Sequence, residues 1–264
     1  MIRNLETNKI LWLLTALLSL AAALIGVINP DIYAKVVSKD VIPGVFGQDL
    51  MTIAASIIIL WLIFRTKEND SRKQIVVLGI LGYLFYAYGI YVIEQVYNLL
   101  YYLYMAIFAL SFYSMVYGVA KIPPEFMQKV RVSRPVRHVS AWFSLLVALI
   151  FNLLWVGQLL PLLQTGDKIE NLYSVYILDL CFIMPAFVIA GILALRKSGL
   201  GLLLIPALFV LGFTLIFSLA VSELAKPVYD LNISIEGLLP SLILSMLFLV
   251  LAALHLRKLE FAKS

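Results

Sequence analysis

Eight apolar stretches, each long enough to cross a bilayer, take up most of this 264-residue chain. They run over roughly residues 10–28, 49–64, 75–95, 99–120, 141–161, 173–195, 199–222 and 236–256. About 20 residues of helix span the roughly 30 Å hydrocarbon layer. Every backbone N–H and C=O in that layer must be bonded internally, and stretches of this length achieve that only as helices. The chain therefore reads as all-α: a polytopic membrane bundle of eight transmembrane helices, forming one transmembrane domain over residues 1–264. No length remains for a separate soluble domain. Hydrophobic residues are 63% of the chain and charged ones 13%, against about half and a quarter in soluble domains.

The basic residues fall into every second gap. Sixteen of the 20 Lys and Arg occupy the tails and alternate gaps: Arg3 and Lys9; Arg65, Lys67, Arg72 and Lys73; Lys121, Lys129, Arg131, Arg134 and Arg137; Arg196 and Lys197; Arg257, Lys258 and Lys263. Cytoplasmic loops retain Lys and Arg. The expectation is a multi-pass protein of the cell membrane with both termini in the cytoplasm. The net charge of +5 then reports orientation and attraction to anionic headgroups, so nucleic acid is not an expected partner. The bilayer is, and an oligomer is left open. The basic segment from Lys121 to Arg137 suits anionic lipid, although orientation alone explains it more simply. The first stretch, with Ala21, Ala22 and Ala23 near its end, has some marks of a cleaved signal peptide. It stays apolar past the alanines, which favours a first span. Cys181 is the single cysteine, so no intramolecular disulfide or multi-cysteine metal site is expected.

Ten of the fifteen acids lie at or near the other side: Asp31, Asp40, Asp49, Glu94, Asp167, Glu170, Asp179, Glu223, Asp230 and Glu236. Asp49 and Asp179 are the most interesting pair. Arg65 lies 16 residues beyond Asp49, about 24 Å of helix, which puts Asp49 near or just below the outer interface if Arg65 marks the inner one. Asp179 follows six residues of its span. An intramembrane acid is by default a functional candidate. Asp49 also suits a helix N-cap.

Asp49-Leu50 and Asp179-Leu180 are 130 residues apart, as are Ile53 and Ile183, Ile59 and Ile189, and Lys67 and Lys197; Glu94 and Glu223 are 129 apart. The spacing suggests a parallel four-plus-four repeat, with halves at 1–120 and 141–264, related by an axis along the membrane normal. The long loop from Asn29 to Gln48, rich in Pro and Gly, is expected to fold over the outer mouth.

The third stretch adds a polar face. At 100° per residue Tyr83, Tyr86, Tyr91, Glu94, Tyr97 and Asn98 fall in an arc of about 140°. Ten of the fourteen tyrosines lie between Tyr83 and Tyr117. Interfacial belts explain those at helix ends but not Tyr83 and Tyr86 in mid-span. Asn152, Trp155 and Gln158 share one side of the fifth stretch, and Pro185 can kink the sixth beside Asp179. Both histidines read as being on the basic side, and no HExxH, Gly-x-Ser-x-Gly or phosphate-loop motif is present. No catalytic residue, metal ligand or cofactor is assigned.

Gly47-Gln48-Asp49-Leu50, the tyrosine-rich third stretch leading to Tyr97-Asn98-Leu99, Trp155 and Leu178-Asp179-Leu180 together resemble a group of uncharacterised bacterial multi-pass membrane proteins. The resemblance implies a bacterial cytoplasmic membrane protein, supplies no activity, and emphasises Gln48, Asp49, Asn98, Trp155 and Asp179.

The functional expectation is binding or transport of a small solute or cation at an outward-facing acidic site. Asp49, Glu94 and Asp179 supply charge, Tyr83, Tyr86 and Tyr91 line the pocket, and Gln48, Asn98, Asn152 and Trp155 add polar contacts. It requires the three carboxylates to converge. The alternatives are a membrane-embedded enzyme acting on a lipid at the outer leaflet, with paired acids as acid and base, and a non-catalytic scaffold.

Overall fold

The structure, a computed structural model, describes residues 1–261; Lys263, counted above, lies outside the described residues. Eight helices are long and apolar enough to cross a membrane. They are α1 (Leu5–Ile28), α2 (Ile42–Arg65), α3 (Ser71–Ile93), α4 (Tyr101–Ala120), α5 (Arg134–Leu159), α6 (Tyr173–Leu195), α7 (Gly199–Ala225) and α8 (Ile235–Lys258). The protein is a multi-pass all-helical membrane bundle.

Several helices begin well before the apolar run does. α2 starts seven residues ahead of Asp49 and α5 seven ahead of Ala141, each with proline in its first turn. Proline there loses no hydrogen bond and presets the helical φ. Hydropathy marks where lipid begins, whereas these local signals mark where the helix begins. Asp49 is consequently inside α2, not at its cap.

The centre of the bundle is α3, whose most apolar window is 83% buried against 22% for α8. It lies against α7, and glycine permits the approach. A Cβ on Gly79 would sit 2.5 Å from the Ala207 carbonyl oxygen, and one on Gly82 2.6 Å from Leu211 Cδ1. Around this pair, α1 packs on α2 and α4, α4 on α3, α2 on α7, α6 on α5 and α7, and α8 on α7. Phe64, Trp142, Leu153 and Val250 point outward and are exposed, as residues facing lipid tails must be in the absence of water.

α6 is not regular. A π-helical turn, Asp179–Ile183, interrupts it just before Pro185. Pro185 has no N–H and its ring crowds the carbonyl one turn back, and widening the preceding turn relieves that clash.

On the side holding both termini, the ends of the chain are tied to the loops. Ile2 N donates to Gln74 Oε1 and Arg3 N to the Lys121 carbonyl. A two-stranded ribbon, β1 (Val130–Val132) with β2 (Leu259–Phe261), pairs antiparallel with Arg131 opposite Glu260. Arg72 donates to the Leu259 carbonyl, 2.9 Å.

Candidate functional site

Asp49 lies seven residues into α2, about 10 Å along the helix, and only 1% of it is exposed. Two tyrosine hydroxyls donate to its carboxylate: Tyr33 to Oδ2 at 2.8 Å and Tyr91 to Oδ1 at 3.0 Å. Tyr33 comes from a short 3-10 turn, Pro30–Tyr33, in the loop after α1. That loop folds back onto the bundle, and its tyrosine closes the pocket from the side opposite the N-terminus. Burial, and then the nearby Asp49, push the Tyr33 hydroxyl far above its ordinary titration range, so it remains a donor. Tyr104 in turn donates to the Tyr33 oxygen at 3.3 Å, and Asn98 Nδ2 to Tyr104 at 3.2 Å. The rings of Tyr33, Tyr88, Tyr91 and Tyr104 pack in stacked, tilted and edge-on pairs with centroids 4.8–6.0 Å apart. α1 closes the pocket with a glycine because nothing larger fits: a Cβ on Gly26 would stand 2.1 Å from Asp49 Oδ2.

Gln48 and Tyr83 fasten α2 to α3 rather than lining the pocket. Gln48 Nε2 donates to the Ala87 carbonyl at 3.0 Å, Tyr83 donates to the Gln48 carbonyl at 2.9 Å, and Thr52 Oγ1 lies 3.2 Å from the Tyr83 oxygen.

Asp179 occupies a second, separate pocket and is 4% exposed. It sits at the start of the π turn. Trp155 Nε1 donates to its Oδ2 at 2.7 Å. The Tyr86 hydroxyl faces it from α3, yet Oδ1 has no hydrogen-bond partner. Tyr176 packs edge-on against Trp155 and donates to Gln158 Oε1. A cavity of about 630 Å³ opens nearby between the end of α5 and α6, lined by Leu163, Tyr173, Tyr176 and Leu180, but neither acid reaches it.

Glu94 does something else. Its Oε1 accepts from Ser174 N at 2.6 Å, capping the first turn of α6. Glu223 does the same for α8 through Ser234 N, at 3.1 Å. Asn152 donates to the Ala148 carbonyl of its own helix, 2.7 Å.

The expected single hollow is therefore resolved into parts. Tyr91 and Tyr86, five residues apart on α3, point about 140° apart and serve Asp49 and Asp179 respectively. Asp49, Tyr91 and Asn98 belong to one network, Asp179, Trp155 and Tyr86 to another, while Gln48 and Tyr83 join two helices, Glu94 caps one and Asn152 bonds within its own. Sequence reasoning overlooked Tyr33, Tyr88, Tyr104 and Gly26.

Among the described residues no Lys, Arg or His pairs with either buried aspartate, and no three His, Cys, Asp or Glu side chains cluster as metal ligands. An unaccompanied carboxylate is costly in so dry a place. Such a group is suited to taking up a proton or a small cation. No family of known sequences, no curated protein and no solved structure matches the chain.

Proposed function

We propose that this protein is a membrane carrier that binds a proton or small cation at Asp49, alone or together with a small solute, with Asp179 as a second binding carboxylate. The observation that carries the reading is the Asp49 carboxylate itself, which is buried in the bundle and held by two neutral hydroxyls with no basic partner among the described residues. Such an acid needs a positive companion to stay there, and a companion that comes and goes is the elementary step of ion-coupled transport. Tyr33, on a connecting loop, is the natural gate: withdrawing it exposes Asp49 Oδ2 to the side opposite the termini. The placement of Lys and Arg supports a cell-membrane protein with cytoplasmic termini, as does the resemblance to bacterial multi-pass proteins.

A four-plus-four duplication fits the same reading. Positions 129 or 130 apart recur in matching roles. Gly26 closes on Asp49 as Trp155 closes on Asp179. Gly82 and Leu211, also 129 apart, touch each other, as counterparts on a two-fold axis must. The end of α3 meets α6 at Ser174, and the end of α7 meets α2 at Gly44.

The test uses purified protein in liposomes loaded with a pH-sensitive dye, under imposed proton, sodium or potassium gradients. Wild-type vesicles are expected to show flux under at least one gradient, and Asp49→Asn to abolish it. Folded wild-type protein that passes no ion under any gradient, or Asn at 49 with undiminished flux, overturns the reading.

A further inference from the structure

A second cavity, of about 660 Å³, opens on the opposite side of the bundle, among the loops near the termini. Arg131, Arg137 and Lys197 line it, with Ser198 and Gly199 at the start of α7. Three features make it electropositive. First, none of the three cations forms an ion pair among the described residues, where the four ion pairs present use other groups. The nearest strand neighbour, Glu260, sits opposite Arg131 in the ribbon, but it is exposed and makes no ion pair. Second, Arg137 Nε is buried without an acceptor, although Nη2 of the same guanidinium lies 3.3 Å from His138 Nε2. A buried charged donor left unmatched is costly. Third, α7 offers its N-terminus here. Its first backbone bond runs from Leu202 N to the Ser198 carbonyl, and Ser198 makes no side-chain cap. The amides of Gly199, Leu200 and Gly201 are thus without backbone acceptors, at the positive end of a 27-residue helix dipole.

The site is also held in shape. Arg131 Nη1 is fixed by the carbonyls of Gln128 and Val130. Lys197 turns the α6–α7 corner at φ 62°. Gly199 lets the short helix Pro124–Lys129 press on the start of α7, since a Cβ would overlap the Met127 carbonyl.

We propose that this cavity is a phosphate-binding site whose occupant is the headgroup of an anionic phospholipid from the adjoining leaflet. Guanidinium groups and free helix-start amides are both suited to phosphate oxygens. The cavity lies at the helix ends, where headgroups are, and basic pockets between transmembrane helices bind such lipids. The proposal is independent of what happens at Asp49.

The test is a titration of the full chain, purified in neutral detergent, with phosphatidylglycerol, phosphatidic acid, phosphatidylcholine or inorganic phosphate, read by thermal stabilisation and by retained adducts in native mass spectrometry. The two anionic lipids should bind and phosphatidylcholine should not. Arg137→Gln with Lys197→Asn should weaken binding by at least about ten-fold. Arg134→Gln, one turn before Arg137 on α5 but not lining the cavity, should leave it within about two-fold. Lys197→Asn alone keeps the test alive if the double variant is poorly folded, because Asn tolerates positive φ. Equal protection by inorganic phosphate supports the phosphate site and makes free phosphate its occupant. Wild-type affinity in the double variant, or equal loss in Arg134→Gln, overturns the site in favour of diffuse surface charge.

Discussion

Gly26→Ala is the sharpest single perturbation of the Asp49 pocket. The new methyl would stand 2.1 Å from Asp49 Oδ2 and 2.6 Å from the Tyr33 oxygen, both far inside van der Waals contact. Relieving the clash moves the carboxylate by more than about 1 Å, which breaks the 2.8 Å bond from Tyr33 and strains the 3.0 Å bond from Tyr91. Each buried hydrogen bond contributes about 1–3 kcal/mol with a charged acceptor and about 1 kcal/mol with a neutral one. Overpacking adds about 1–3 kcal/mol, and alanine returns up to about 1 kcal/mol as a better helix former. The net expectation is destabilisation by about 2–5 kcal/mol. The assay is reversible unfolding in mixed micelles with increasing dodecyl sulfate, followed by tryptophan fluorescence. Gly157→Ala is the control: nothing lies within 4 Å of its Cβ, so it should be neutral or slightly stabilising. Removing the clashing oxygen should relieve the effect, so Gly26→Ala should cost at least about 1 kcal/mol less in an Asp49→Ala background. A Gly26→Ala protein as stable as Gly157→Ala, or strictly additive double variants, would show that the glycine does not seal the carboxylate.

Trp155→Phe keeps an aromatic ring but deletes the donor to Asp179 Oδ2, leaving both oxygens of that carboxylate without a bond. It should cost about 1–3 kcal/mol in the same unfolding assay and clearly less in an Asp179→Ala background; equal cost in both backgrounds would mean that only packing was lost. At the loop before α3, the Lys73 ammonium and then the Lys67 amide hold Asp70 below the ordinary carboxylate range. Its folded value lies below the unfolded one near 3.9, so its contribution to stability is complete above that pH and fades as pH falls through the folded value. Lys73→Gln should move the Asp70 titration upward, read from its side-chain carbonyl carbon by NMR; an unmoved midpoint refutes the pairing.

The eight helices were legible because lipid imposes one rule on every residue of a span, and the length of an apolar run measures it directly. Helix starts were not, since α2 and α5 extend into polar sequence where proline sets the boundary. Depth alone singled out Asp49 and Asp179. The arc of Tyr83, Tyr86 and Tyr91 was read as one lining because an amphipathic helix presents a single polar face. α3 is buried on most of its sides, so its tyrosines face two different helices: Tyr83 and Tyr91 meet α2 at Thr52 and Asp49, and Tyr86 meets Asp179 on α6. Tyr33 escaped notice because side chains in an irregular loop follow no period. The one available sign was an aromatic residue in a loop otherwise rich in turn formers. The basic loop was visible as charge, but not the cavity, which needs α7 to begin beneath it.

Under the proposed duplication, the two halves differ in an instructive way. At the position facing the acid, one half has Gly26, and a loop tyrosine enters to donate the hydrogen bond. The other half has Trp155, which fills that space and donates the bond itself. The second donor also differs: α3 supplies Tyr91 in full contact to Asp49, but Tyr86 leaves Asp179 Oδ1 unbonded. The donors vary while the buried acid recurs. A site tuned to the shape of a large ligand would need its surroundings matched in both halves. A site that takes a proton or a single small ion needs only the carboxylate and a dry, neutral shell, and those are the features both halves share. Tyr33 comes from a connecting loop whereas Trp155 is part of α5, so under the proposed carrier reading the Asp49 half is the one that opens.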